Sequence, residues 1–139
     1  MEHRSYGIIV FRKKGVDLEF LLVKNKNTDY FGFPKGTPEE GETPEETARR
    51  EFQEETGLKA PKDFFEETFI EEYDFKDREE KIVHKINTFF LAEMVIEERV
   101  GEIFDDIEEV LWVLEDHVPA TLTFEEGREV YRQVVKTLG

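Results

Sequence analysis

The chain has 139 residues with 34 acidic and 19 basic side chains, which gives a formal net charge of −15. This length predicts a single domain, residues 1–139, with one hydrophobic core, and the absence of Cys excludes disulfides and cysteine nucleophiles. The acidity disfavours nonspecific binding to nucleic acid or anionic lipid. Because no apolar run could span a bilayer and the N-terminus lacks a signal-peptide pattern, we expect a cytoplasmic protein without membrane or nucleic-acid partners.

The first part of the chain predicts β-strands. Residues 6–12 and 19–24 are apolar runs rich in β-branched and aromatic side chains, and Gly15 between them suits a hairpin turn. A polar loop follows at residues 25–30. Pro34 then keeps residues 31–35 extended, so a short extended segment should lead into the acidic part of the sequence.

Residues 43–57 predict an α-helix with defined ends. Thr43 is a typical N-cap residue, Pro44 suits the first helical position, and Glu46 completes a capping box. Gly57 is a typical C-terminal stop. The helix should therefore carry five glutamates, three of them in its last turns.

The second half predicts more strands and a closing helix. Residues 66–73, 82–95 and 110–113 read as strands. Thr123 and Glu126 repeat the capping pattern, which predicts that an amphipathic helix begins there and continues to the end of the chain. Together these elements predict an α/β or α+β fold in which two main helices pack on a mixed sheet.

Three glutamates near the end of the first helix share one face. Glu51, Glu54 and Glu55 are spaced i, i+3 and i+4, so their charges repel one another unless cations lie between them. Mg²⁺ and Mn²⁺ prefer oxygen ligands and bridge to phosphate oxygens, which indicates a metal site for a phosphate substrate. A solvated acidic face is the alternative interpretation of these three residues alone. Arg50 is spaced to pair with Glu54 and Glu46, which would orient one carboxylate.

The surrounding pattern resembles the Nudix box. Its fixed positions correspond here to Gly36, Glu42, Arg50, Glu51, Phe52, Glu54, Glu55, Gly57 and Leu58. Phe52 is the one departure, because the family usually has an aliphatic residue there. The resemblance implies a mixed β-sheet sandwiched between helices. It also implies an enzyme that uses Mg²⁺ or Mn²⁺ to hydrolyse a phosphoric anhydride in a nucleoside diphosphate linked to another group.

Roles for the box residues also follow from this resemblance. It implies that Glu51 and Glu55 are the main metal ligands, that Glu54 is a further ligand or the general base, and that the Gly36 carbonyl is a candidate ligand. Several Nudix enzymes instead take their base from a loop before a late aromatic residue. In this chain that loop is acidic and precedes Trp112; Asp106 is the candidate base, with Asp105, Glu108 and Glu109 as alternatives.

Within the family, the chain resembles the asymmetrical bis(5′-nucleosyl)-tetraphosphatases. The matching segments are residues 7–12, 19–22, 33–36 and 90–93. This resemblance implies that two lysines contact phosphates and that aromatic rings stack on adenine. The corresponding residues are Lys35 and Lys85 for the phosphates and Tyr30, Phe31 and Tyr73 for the base. Tyr30 departs from the pattern, because these enzymes often carry His there.

Other functions remain open from the sequence. Residues 129–135 resemble the last helix of bacterial RNA pyrophosphohydrolases, although the acidity argues against RNA. Hydrolases of diphosphoinositol polyphosphates and of oxidised nucleotides use the same box. A non-catalytic nucleotide-binding module is a further alternative, for which an eroded box would be the mark. The expected partner is a small nucleotide, and the expected assembly is a monomer or homodimer.

Overall fold

The computed structural model describes residues 1–104 and 106–139, and the predicted strands and both main helices are present in it. Most strands are longer than the sequence pattern indicated. Within these ranges, no helix is long and apolar enough to cross a bilayer. In chain order the elements are β1 (Glu2–Lys14), β2 (Asp17–Asn25), β3 (Phe31–Gly32), β4 (Lys35–Gly36), α1 (Pro44–Thr56), β5 (Thr68–Lys76), β6 (Ile82–Glu93), β7 (Ile107–Leu114), a 3-10 turn (Glu115–His117), α2 (Val118–Thr121) and α3 (Glu125–Leu138).

The strands form one mixed sheet, as the sequence predicts. Its main order is β3-β2-β1-β6-β5, with β4 paired to β1 and β7 paired to β2. Strands β1 and β2 form an antiparallel hairpin whose turn contains Gly15 at φ 63°, a conformation that favours glycine. Strands β1 and β6 are parallel, so a long connection must join them. That connection contains α1, and the acidic helix is thereby placed over the sheet.

Helices cover both faces of the sheet because side chains along a strand alternate in direction. On one face, Ile8 and Val10 of β1 belong to the same buried cluster as Ala48 and Phe52 of α1. On the other face, Ile9 of β1 packs in a second buried cluster with residues of α2 and α3. The sheet is therefore sandwiched between helices, as the sequence resemblance implied.

Gly7 brings the short strand β4 close to β1. Gly7 pairs with Lys35 in the antiparallel register, and the backbone of Ile8 donates to the Pro34 carbonyl. A Cβ on Gly7 would overlap that carbonyl oxygen and would lie 2.8 Å from the Cβ of Lys35. The missing side chain therefore permits the close approach that holds Lys35 and Gly36 beside α1.

The predicted capping box at Thr123 is wrong. The N-cap of α3 is Phe124, which provides no side-chain hydrogen bond. The Thr123 hydroxyl instead accepts a hydrogen bond of 2.8 Å from the backbone N–H of Phe31, and the Thr123 N–H donates back to the Phe31 carbonyl. The Thr123 hydroxyl therefore accepts a hydrogen bond from a distant strand and does not cap the helix. As a result, α3 begins one residue later than predicted.

Candidate active site

Both ends of α1 are fixed by local hydrogen bonds. The Thr43 hydroxyl accepts from the Glu46 N–H at 3.2 Å, and the Glu46 carboxylate accepts from the Thr43 N–H at 2.9 Å, which forms the predicted capping box. At the other end, Gly57 adopts φ 73° and its N–H donates to the Gln53 carbonyl. These caps set the rotation and the end of the helix, so the glutamates of its last two turns have fixed directions.

Arg50 joins the box carboxylates through a fan of hydrogen bonds. Its guanidinium donates to Glu42 at 2.7 Å, to Glu51 at 2.9 Å and to Glu54 at 2.8 Å. The bond from Arg50 lowers the pKa of Glu42 to about 2, and the bond to Glu42 raises the pKa of Arg50. The pairing with Glu54 is as predicted. The predicted pairing with Glu46 is wrong, because the Glu46 carboxylate is used in the helix cap.

Glu51 lies directly against Gly36. A Cβ on Gly36 would overlap the Glu51 carboxyl group, so only glycine fits at this position while that carboxyl stays in place. Burial raises the pKa of Glu51; its bonds to Arg50 oppose the shift, and the charges of Glu54 and Asp106 add to it. The Gly36 backbone and the Glu51 carboxyl group are therefore in close proximity.

Glu55 is the more strongly perturbed carboxyl group. Its Oε1 accepts a hydrogen bond of 3.1 Å from the backbone N–H of Lys35. Burial raises the pKa of Glu55 to about 8; the bond from Lys35 opposes this shift, whereas the charges of Glu51 and Asp106 add to it. A partly enclosed carboxylate with so little compensation is well suited to a bound cation.

Among the loop candidates for the base that the structure describes, Asp106 is the one whose charge acts on Glu51 and Glu55. It raises the pKa of both Glu51 and Glu55, and its backbone carbonyl is fixed by the N–H of Lys26 at 2.8 Å. Glu108 and Glu109 point elsewhere, since both pair with the ammonium group of Lys24, at 2.7 and 3.9 Å. Asp105 lies outside the described residues.

The chemistry of these donors fits a hard divalent cation. Glu51, Glu54, Glu55 and Asp106 all offer carboxylate oxygens, the ligands that Mg²⁺ and Mn²⁺ prefer. In the part of the chain that the structure describes, no three acidic or histidine side chains are already arranged as a cation cluster. Two of the four carboxylates, those of Glu51 and Glu54, are instead paired with the guanidinium group of Arg50. Mutual repulsion among these carboxylates would favour cation binding.

A cavity of about 700 Å³ adjoins this acidic face. Lys35 and Glu55 line it beside aromatic rings, so it joins the helix carboxylates to a surface on which a flat ring could stack. All three predicted substrate-binding aromatics, Tyr30, Phe31 and Tyr73, lie in its wall. A second cavity of about 710 Å³, lined by segments 59–65 and 93–98, contains none of the box carboxylates.

The cavity also contains residues that the sequence analysis missed. Phe124 packs edge-on against Tyr30 with a centroid distance of 4.7 Å, and Glu71 lines the wall near Tyr73. The signal for Glu71 was its position two residues before Tyr73 on a predicted strand, which places both side chains on one face. Phe124 gave no such signal, because its location depends on where α3 docks.

Lys85 lies beside the cavity but not among its lining residues. Its ammonium group binds the Nδ1 of His3 and the hydroxyl of Ser5, each at 2.7 Å. Burial lowers the pKa of Lys85 to about 8, and the positive charge of Lys35 adds to this shift. The two lysines that the resemblance assigned to phosphate are therefore close enough to repel each other, and an anion between them would relieve that repulsion.

Solved structures share this fold at low sequence identity. The Ap4A hydrolase of C. elegans matches with a TM-score of 0.74 and 18% identity over 100% of both chains. The NUDIX domain of Shewanella oneidensis NrtR, in complex with ADP ribose, matches with a TM-score of 0.75 and 18% identity over 100% of this chain and 90% of that one. The dihydroneopterin triphosphate pyrophosphohydrolase of E. coli matches with a TM-score of 0.70 and 18% identity over 96% and 95%.

Family membership rests on a broader match. No curated protein sequence matches the chain significantly. The family model of the NUDIX domain, however, matches residues 1–134, which is nearly the whole chain. The mixed sheet between helices and the capped acidic helix agree with that match. The chain belongs to the NUDIX domain family of hydrolases.

Proposed function

We propose that this chain is a single-domain pyrophosphohydrolase that uses Mg²⁺ or Mn²⁺ to split dinucleoside tetraphosphates into ATP and AMP. The observation that carries the proposal is the cavity beside α1. It unites Glu55 of the acidic helix, the basic residue Lys35 and the rings of Tyr30, Phe31 and Tyr73. Such a combination suits a substrate with a polyphosphate at one end and a nucleobase at the other.

The roles of the box residues follow from their contacts. Glu51, Glu55 and the Gly36 carbonyl would hold the cation: the Glu51 carboxyl group lies against Gly36, and Glu55 lines the cavity. These residues would thereby place a charge that, when the cation is bound, would polarise phosphate oxygens and stabilise the leaving phosphate. Arg50 keeps Glu54 in one orientation through its hydrogen bonds at 2.8 and 3.2 Å. Without that restraint the Glu54 side chain would lose its fixed direction.

Proton transfer completes the reaction. The oxygen of the attacking water forms a new bond to phosphorus as the P–O–P bridge breaks, and its proton passes to a carboxylate. Glu54 and Asp106 are the two candidate bases. The bridging oxygen leaves on the departing nucleotide, so one water yields ATP and AMP from diadenosine tetraphosphate. Lys35 and Lys85 would hold the phosphates, because they supply positive charge that the acidic chain otherwise lacks there.

The structural neighbours support a nucleotide substrate without fixing which one. The C. elegans neighbour is an Ap4A hydrolase, which agrees with the dinucleoside tetraphosphate proposed here. The Shewanella oneidensis NrtR domain binds ADP ribose, and the E. coli neighbour acts on dihydroneopterin triphosphate. All three ligands contain a phosphate chain attached to a ring system, which is the combination of groups that this cavity suits.

We expect diadenosine tetraphosphate to be the preferred substrate in a panel of separate assays. In the presence of Mg²⁺, the protein would be incubated with diadenosine tetraphosphate, triphosphorylated RNA, a diphosphoinositol polyphosphate or 8-oxo-dGTP. Chromatography should detect ATP and AMP in equal amounts from the first compound, at a higher kcat/KM than for the others. Two ADP molecules as products, or faster turnover of another compound, would contradict the proposed substrate.

A further inference from the structure

Strands β1, β6 and β5 bring a set of polar side chains to one face of the sheet, beside the cavity. The register pairs Ser5 with Asn87 and Asn87 with Glu71, so these three residues lie in one row across the sheet. Directly paired residues point to the same face. One further row, formed by His3, Lys85 and Tyr73, lies next to the first. Polar side chains in such number on a covered sheet face require partners.

Asn87 is fully buried, and only the Nδ2 end of its amide is paired among the described residues. Its Nδ2 donates a hydrogen bond of 2.6 Å to the Oε1 of Glu71. Its own carbonyl oxygen has no hydrogen-bond partner among the described residues. An unsatisfied buried oxygen is unfavourable, so the hydrogen bond to Glu71 must stabilise this orientation of the amide. The orientation gives Glu71 a donor and fixes which of its two oxygens is occupied.

The second oxygen of Glu71 is free to accept a hydrogen bond. No group among the described residues donates to Oε2, which lies near the first turn of α3, 3.4 Å from the position that a Cβ on Gly127 would take. Both Glu71 and Gly127 line the cavity. Burial raises the pKa of Glu71, and the bond from Asn87 opposes that shift. A donor on a ligand would therefore stabilise the charged carboxylate further.

We propose that Glu71, oriented by Asn87, selects nucleobases that carry an exocyclic amino group, such as adenine. The inference rests on the proposed function only in taking this cavity as the nucleoside site. A base stacked on the aromatic wall presents its polar edge sideways, and one amino N–H matches the one free oxygen of Glu71. A ribose would present two neighbouring hydroxyl groups to one free oxygen, so it matches the site less well than an amino group does. A phosphate would be repelled by the negative charge of the carboxylate.

Glu71→Gln tests this inference because it reverses the hydrogen bond without changing shape. The carbonyl of the new amide can still accept from Asn87, which turns its NH₂ group toward the ligand, donor against donor. Calorimetry would compare the binding of AMP with that of purine riboside 5′-monophosphate, which lacks the amino group. We expect the wild type to bind AMP at least about tenfold more tightly and Glu71→Gln to lose that preference. In hydrolysis the loss should appear in KM, with kcat little changed.

Glu72→Gln is the matched control. Glu72 is the next residue on β5, so its side chain points to the opposite face, where it contacts His84. This variant should keep the preference for AMP. Equal binding of both nucleotides by the wild type, or an unchanged preference in Glu71→Gln, would overturn the inference. A third outcome would also overturn it. If Glu71→Gln weakened the binding of AMP but not that of 2′,3′-dideoxy-AMP, Glu71 would contact the ribose and not the base.

The same data separate this inference from the proposed function. If diadenosine tetraphosphate is not hydrolysed but AMP binding still depends on the amino group and on Glu71, the proposed substrate is wrong and the base-selecting role stands. If the tetraphosphate is hydrolysed without any preference for amino-bearing bases, the proposed substrate stands and the role of Glu71 is wrong. Thermal unfolding of Glu71→Gln and Glu72→Gln would establish that both variants are folded.

Discussion

Replacing Glu55 or Glu54 by Gln should lower kcat on the substrate by about 100-fold or more, while the fold stays intact. Glu55 is proposed as a cation ligand and Glu54 as a ligand or base, and a glutamine amide can neither neutralise a cation nor accept the proton. The fold should survive in Glu55→Gln because the amide carbonyl of the substituted side chain can still accept the bond from the Lys35 N–H. Steady-state kinetics and circular dichroism would measure the two effects separately.

Glu45→Gln provides the control for these variants. Glu45 lies in the first turn of the same helix, is exposed, and is remote in sequence from the three glutamates of the last turns. The substitution removes one negative charge from α1, as the other two do, but away from the proposed site. Its kcat should therefore be close to that of the wild type. Near-full activity in Glu54→Gln and Glu55→Gln would mean that the acidic face is only a solvated surface.

Gly36→Ala should lower turnover by about 10- to 100-fold by moving one carboxyl group. The added Cβ would overlap the carboxyl group of Glu51, so that side chain must shift away from Gly36. The proposed cation site would then lose the arrangement of two of its ligands. Kinetics at increasing Mg²⁺ concentration should show a weaker apparent metal affinity together with the lower kcat.

Gly101→Ala is the matched substitution for Gly36→Ala. Gly101 is exposed, and a Cβ there would meet no atom within 4 Å, so neither activity nor stability should change. If Gly36→Ala retained the turnover and the Mg²⁺ dependence of the wild type, the contact between Gly36 and Glu51 would have no role in the reaction. A loss of folded protein in Gly36→Ala, monitored by thermal unfolding, would identify a structural effect instead.

Local signals in the sequence were sufficient for the acidic helix. The cap at Thr43, the stop at Gly57 and the pairing of Arg50 with Glu54 all depend on residues within a few positions of each other. The same kind of signal failed at Thr123, because a distant backbone group, the N–H of Phe31, competes for its hydroxyl. Neighbours along the chain predict a cap only when no tertiary partner is available.

The cavity was less accessible to sequence reasoning. Lys35 and the rings of Tyr30, Phe31 and Tyr73 were predicted from resemblance. Phe124 and the row of Ser5, Asn87 and Glu71 were not predicted. That row depends on the parallel pairing of β1 with β6, two strands far apart in the chain, and on the register of β5. A shift of one residue would turn these side chains to the other face, and nothing local fixes that choice.

Calorimetric titration of Mn²⁺ into metal-free protein would measure whether the end of α1 binds a divalent cation. With a net charge of −15, weak cation binding over the surface is expected in any variant, so the comparison must be between matched variants. We expect the wild type and Glu45→Gln to show the same saturable binding, and Glu55→Gln to bind at least about tenfold more weakly. Equal Mn²⁺ affinity in all three proteins would contradict a metal site on this helix.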